Sequence, residues 1–120
     1  MSSFDWASRE TFKDVVILPD RSLPWDWKLN GNPMRHDPGI RKDDILKYMS
    51  EEELREVDEL ILTQGRQNRL QVGEKVREDL KEMGVKNLYV NNTNIAIEYY
   101  KEKIENQPDM KIAAFIHTTC

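Results

Sequence analysis

The sequence predicts an α/β fold built as one domain. From residue 58 onward, short apolar runs alternate with amphipathic segments in the order strand, helix, strand, helix, strand. That order is the pattern of crossover units on a largely parallel sheet. Leu60-Ile61-Leu62 and Ile112-Ala113-Ala114-Phe115-Ile116 are unbroken apolar runs, as expected of strands buried on both faces. The first third reads instead as antiparallel β structure, so a β-rich portion precedes the alternating half.

The elements follow in order. Thr11 to Leu18 is rich in β-branched residues and stops at Pro19-Asp20, a turn in which proline presets φ. Ser22 to Trp27 is the return strand, with Trp25 and Trp27 on one face and Asp26 on the other. Asn30-Gly31-Asn32-Pro33 is a dense turn signal, and Met34 to Gly39 is an irregular loop around His36 and Asp37. Asp43 to Met49 forms a short helix with Ile45, Leu46 and Met49 inward, and Ser50 with Glu53 makes a capping box for a second one carrying Leu54 and Val57. Glu59 to Thr63 is a strand and Gly65 opens a loop. Glu74 to Met83 is a helix with Val76, Leu80 and Met83 on one face, stopped by Gly84. Leu88 to Val90 is the next strand, expected to be buried beside the other two. Thr93 is expected to cap a helix that runs to about Asn106, lined by Ala96, Tyr100 and Ile104 with Ile97 beside them. Lys111 to His117 closes the sheet.

Composition narrows the function classes. The 120 residues suffice for one core and not two. A net charge of -4 argues against phosphate neutralisation as a mode of binding, so no nucleic-acid partner is expected. No apolar run approaches the roughly 20 residues of a membrane span, and residues 1–13 show no apolar or Arg-rich leader. One cysteine allows no intrachain disulfide. The expectation is a reduced, cytoplasmic protein without membrane contact.

The chemistry-bearing residues gather in a few segments. His117-Thr118-Thr119-Cys120 brings an imidazole, two hydroxyls, a thiol and a carboxylate to the carboxyl edge of the sheet, where open α/β sheets bind ligands. Two histidines and one cysteine fall short of a convincing metal set, so no metal is assigned. A Cys120 nucleophile is disfavoured by the carboxylate on its own residue and by the three-residue offset from His117, which in a strand points to the opposite face. The loop Thr63-Gln64-Gly65-Arg66-Gln67-Asn68-Arg69 matches no dinucleotide or Walker pattern, so no cofactor is assigned. Arg66 and Arg69 would still suit a small anionic ligand. A pocket formed by His36, Asp37, Gly65, Arg66, Arg69, His117 and Cys120 is therefore the alternative expectation, with an imidazole as donor or proton carrier.

The order of several short motifs resembles one family: Thr11-Phe12-Lys13-Asp14, Trp25-Asp26-Trp27, His36-Asp37-Pro38-Gly39, Gly65, Leu80 with Gly84-Val85, Thr93 with Ala96, and the ending Phe115-Ile116-His117-Thr118-Thr119-Cys120. It is similar to the adipogenesis-associated, or Mth-type, domain family, whose relatives include an assembly factor for mitochondrial complex I. The resemblance implies a three-layer single domain with a mixed sheet, flanking helices and a β-rich N-terminal portion. It implies no established enzymatic activity. Where members commonly carry Gly-x-Gly, this chain has Thr63-Gln64-Gly65, and Thr63 does not favour the positive φ of a backbone anion cradle. The resulting expectation is a non-catalytic interaction, regulatory or assembly module without catalytic residues. Its contact surface would lie at Trp25, Asp26 and Trp27 with the His36 loop, and the acidic Glu51 to Glu59 segment would steer a basic protein partner.

Overall fold

The apolar runs assemble into a five-stranded mixed sheet in a computed structural model that describes residues 14–25, 28–29, 32–33, 39–65 and 70–117. Strand β1 is Asp14–Ile17, β2 Ser22–Pro24, β5 Glu59–Thr63, β6 Leu88–Asn91 and β7 Ile112–His117. Their order across the sheet is β2-β1-β7-β5-β6. Between β2 and β5, strands β3 (Lys28–Leu29) and β4 (Asn32–Pro33) form a separate antiparallel ladder. Four helices complete the chain: α1 Lys42–Leu46, α2 Glu51–Glu56, α3 Glu74–Glu82 and α4 Thr93–Asn106.

Strands β1 and β2 of the β-rich start join the main sheet, whereas β3 and β4 stay apart from it. Strand β1 pairs antiparallel with β7 and with β2, while β5 is parallel to both β7 and β6. The sheet is therefore mixed rather than largely parallel. The crossover through α3 moves outward from β5 to β6, and the one through α4 returns past β5 to β7. Crossovers of one hand that run in opposite directions place their helices on opposite faces, which gives three layers.

Strand alternation divides the buried residues between those layers. Val16, Leu60, Leu62, Ala113 and Phe115 point to the core shared with Ile45, Leu54, Val76 and Leu80 from α1, α2 and α3. Val15, Ile17, Ile61, Ile112, Ala114 and Ile116 point to the other core, under Ala96 and Tyr100 of α4. The Phe115 ring is fully buried and meets Trp25 and Tyr48 edge to face, with centroids 5.4 and 6.0 Å away.

Local chemistry sets the ends of the elements. Ser50 and Glu53 form the expected capping box of α2, the Glu53 N–H donating to Ser50 Oγ at 3.1 Å. Gly84 takes φ +96° just beyond α3, a conformation in which a Cβ would also strike the Arg55 side chain at 2.7 Å. Four expectations need correction. The return strand stops at Pro24, although the Trp25 N–H still donates to the Asp14 carbonyl at 3.1 Å. The cap of α4 is Asn92, whose Oδ1 accepts the Ile95 N–H at 2.9 Å, because the Thr93 hydroxyl is committed to a bond across the fold. Strand β6 is half-buried because it is an edge strand, and Ile104 is 37% exposed at the far end of α4. Residues 11–13 of the expected first strand lie outside the described residues.

Phe115→Ala removes the largest side chain of the central strand and should cost about 3–5 kcal/mol in denaturant unfolding. A loss under about 1 kcal/mol would place Phe115 outside a well-packed core.

Candidate functional site at the carboxyl edge of the sheet

The carboxyl ends of β5 and β7 and the start of α4 meet at three side chains. Thr63 ends β5, His117 ends β7 and Thr93 begins α4, and all three are buried. Because β1 runs antiparallel to β7, its first residue, Asp14, lies opposite His117.

These groups are bonded to one another. Thr63 Oγ1 donates to the Phe115 carbonyl at 2.8 Å and accepts the His117 N–H at 2.7 Å, so one hydroxyl bridges β5 and β7 beyond their regular ladder. The Thr93 hydroxyl donates to the His117 carbonyl, which ties α4 to the same strand end. His117 Nδ1 lies 2.9 Å from Asp14 Oδ2, with side-chain exposures of 4% and 13%. A carboxylate on one ring nitrogen fixes the orientation of an imidazole. The same geometry orients the base of a hydrolytic triad, and it equally satisfies a histidine in a core.

Gly65 takes φ +84°, so the loop after β5 does use the left-handed region at this glycine. The backbone there is already engaged: the Gly65 carbonyl accepts the Thr93 N–H at 3.0 Å. With Ile95 N–H on Asn92 Oδ1 and Ala96 N–H on the Asn92 carbonyl, most first-turn donors of α4 are satisfied within the protein. The Thr63 position, where an anion cradle would want glycine, carries instead the hydroxyl that links the two strands.

The structure thus brings Gly65 and His117 to one edge. His36, Asp37, Arg66, Arg69 and Cys120 lie outside the described residues, as do Asp26 and Trp27. Trp25 is only 5% exposed and packs on Phe115, so the expected contact surface does not include its ring. Among the described residues no group of three or more metal-ligating side chains converges. The sequence reading missed Asp14 as the partner of His117, since 103 residues separate them. Only the antiparallel placement of β1 beside β7 would have shown it.

Two further features lie elsewhere. The Tyr99 hydroxyl donates to Glu59, with oxygens at 2.7 and 2.9 Å, and its ring stacks on Tyr89 with centroids 3.8 Å apart. Burial, reinforced by the Glu59 carboxylate, raises the Tyr99 phenol well above its ordinary range. At the opposite edge of the sheet from His117, a half-open cleft of about 800 Å³ is lined by Leu18, Met49, Tyr100, Ile104, Met110 and Ile112. Charged residues also line it: Asp20, Glu53, Glu56 and Asp109, with Arg21 and Lys111. Arg21 reaches Asp20 at 2.7 Å and Glu53 at 3.4 Å. The sequence signal for this cleft was weak: an acidic helix, and an isoleucine on the expected inner stripe of α4.

No family model matches the chain. A crystal structure of a conserved hypothetical protein from Pyrococcus horikoshii OT3 is similar in fold, with a TM-score of 0.60 over 90% of this chain and 84% of that one at 18% identity. No helix among the described residues is long and apolar enough to cross a membrane.

Two outcomes test this geometry. Thr63→Val keeps the shape but strands the buried His117 N–H, so it should cost about 1–3 kcal/mol, whereas Thr63→Ser should stay within about 1 kcal/mol of wild type; equal losses would mean the hydroxyl does not bridge the strands. The raised phenol of Tyr99 contributes stability that is full below the unfolded tyrosine value of about 10 and is lost as pH rises toward the folded value. Tyr99→Phe should therefore flatten the fall in urea midpoint above about pH 10. Parallel curves for the two proteins would show that Tyr99 titrates alike folded and unfolded.

Proposed function

We propose that this chain is a non-catalytic interaction or assembly module of the Mth-type family, acting in the cytoplasm on a protein partner. The observation that carries the reading is the engagement of the polar groups at the carboxyl edge. The Thr63 and Thr93 hydroxyls, the Gly65 carbonyl and the His117 backbone are bonded to one another rather than directed toward a substrate. The motif order from about Thr11 to Cys120 and the three-layer fold support the family. The fold neighbour, titled a conserved hypothetical protein, adds nothing about activity.

Among the described residues, the surface that best suits a partner is the cleft at the opposite edge. Its lining includes the exposed Ile104 and sets four carboxylates against two cations. A basic, amphipathic segment of a partner protein fits that chemistry, with an apolar anchor against Ile104 and cations against the carboxylates. The acidic first turn of α2, Glu51, Glu52 and Glu53, extends the same field.

A second reading, a small-molecule site at the carboxyl edge, is favoured by the His117–Asp14 contact alone. There the imidazole would exchange a proton, with Arg66 and Arg69 holding an anionic group.

Affinity capture from host lysate decides between them. Wild type should recover partner proteins that are released by salt, and the double variant Glu56→Lys/Ile104→Lys should lose them. Both positions are exposed, so the variant should fold. An identical set recovered by both proteins removes the cleft as the contact surface. A turnover abolished by a folded His117→Asn variant would establish the second reading instead.

A further inference from the structure

The two edges of the sheet are built differently. Strand β2, at one edge, is three residues long and ends in Pro24, which cannot donate to a further strand. Strand β6, at the other, has four residues, Leu88-Tyr89-Val90-Asn91, with no proline and no charge. Among the described residues nothing pairs with its outer side.

The bonds to β5 fix which groups face outward. The Asn87 carbonyl accepts the Leu60 N–H at 2.9 Å and the Asn91 carbonyl accepts the Gln64 N–H at 3.0 Å. In a parallel pair the residues that face the partner alternate, so 87, 89 and 91 serve β5. The N–H and C=O groups of Leu88 and Val90 point away from the sheet.

That arrangement is complementary to itself. Placed antiparallel across a twofold axis through Tyr89, Leu88 of one copy opposes Val90 of the other, and the outward donors and acceptors of both exchange bonds. A charged residue on such an axis would meet its own like, and the residue on this axis is a tyrosine. Lys86, the nearest charge before the strand, would fall opposite Asn92 rather than another lysine in that register. Beside the edge, Ile95 and Tyr99 lie four residues apart on α4, and Ile95 is 48% exposed. Tyr99 stacks on Tyr89, so this stripe borders the same axis.

We propose that β6 is the interface between two copies of this chain, paired antiparallel about Tyr89 into a continuous ten-stranded sheet, with Ile95 covered by the second copy. Four-residue strands and one helix stripe make a small interface, at the transient end of the range below about 1,200 Å². The dimer therefore forms and dissociates with concentration. This interface is separate from the cleft and does not depend on it.

Sedimentation equilibrium of the whole chain over a wide concentration range tests the proposal. The apparent mass should rise toward twice the monomer. Val90→Pro deletes an outward N–H and leaves the β5 ladder intact while trimming a half-buried side chain packed on the core, so it should lower stability yet still fold, and hold the mass at that of the monomer. Ile95→Lys, at an exposed helix position, should weaken association at least about tenfold. If Val90→Pro does not fold, Tyr89→Cys in a Cys120→Ser background gives the answer, because residues on the axis approach closely enough for a disulfide between copies. Wild type that stays monomeric at every concentration, a dimer that survives in folded Val90→Pro, or a Tyr89→Cys protein that does not cross-link on oxidation would each overturn the pairing.

Discussion

Strand β7 points its residues alternately into two hydrophobic cores, and the position of every other layer follows from that division. Phe115 and Ala113 face the core under α1, α2 and α3, while Ile112, Ala114 and Ile116 face the core under α4. A strand this deeply buried must also pair its N–H and C=O groups, which a neighbour on each side provides. It has β1 antiparallel on one side and β5 parallel on the other. The antiparallel neighbour brings Asp14 to His117, and the parallel neighbour brings Thr63 to the same strand end. The polar cluster at the carboxyl edge is thus a consequence of the topology around one strand.

That cluster shows how a site-like set of residues can serve packing. A strand ending inside the protein leaves backbone donors and acceptors that have no ladder partner, and unsatisfied buried groups cost about 1–3 kcal/mol each. The Thr63 hydroxyl and the Thr93 hydroxyl take up the groups around His117. Threonine suits the task at Thr63, since its β-branched side chain also favours the strand. The result is a strand end where the Thr63 and Thr93 hydroxyls and the His117 backbone are bonded inward, while unbalanced charge is displayed at the cleft on the opposite edge and apolar surface along β6.

Much of the fold could be read from the sequence because single residues carried it. The capping box at Ser50, the glycine stop at Gly84 and the unbroken runs of β5 and β7 placed those elements within a residue or two. What could not be read was long-range pairing. Nothing local to Asp14 announces that β1 lies beside β7, and nothing local to Thr93 distinguishes a helix cap from a tertiary bond. The period of two that put Trp25 and Trp27 on one face was silent about whether that face met water; for Trp25 it meets Phe115. Of the expected pocket, Gly65 and His117 do share an edge, and the loop was recognisable from its glycine. The role of Thr63 was hidden because a hydroxyl that bridges two strands leaves no pattern in either one.

Thr63, Thr93 and His117 form a structural lock at the carboxyl edge. Native-state hydrogen exchange at the His117 amide measures that lock at the bond itself. Its N–H, donated to Thr63 Oγ1 beyond the strand ladder, should exchange only through global unfolding, with a rate that rises steeply with denaturant like that of the core amides of β7. Rapid exchange that is insensitive to denaturant would show that the edge opens locally, and would contradict the reading of these residues as a lock.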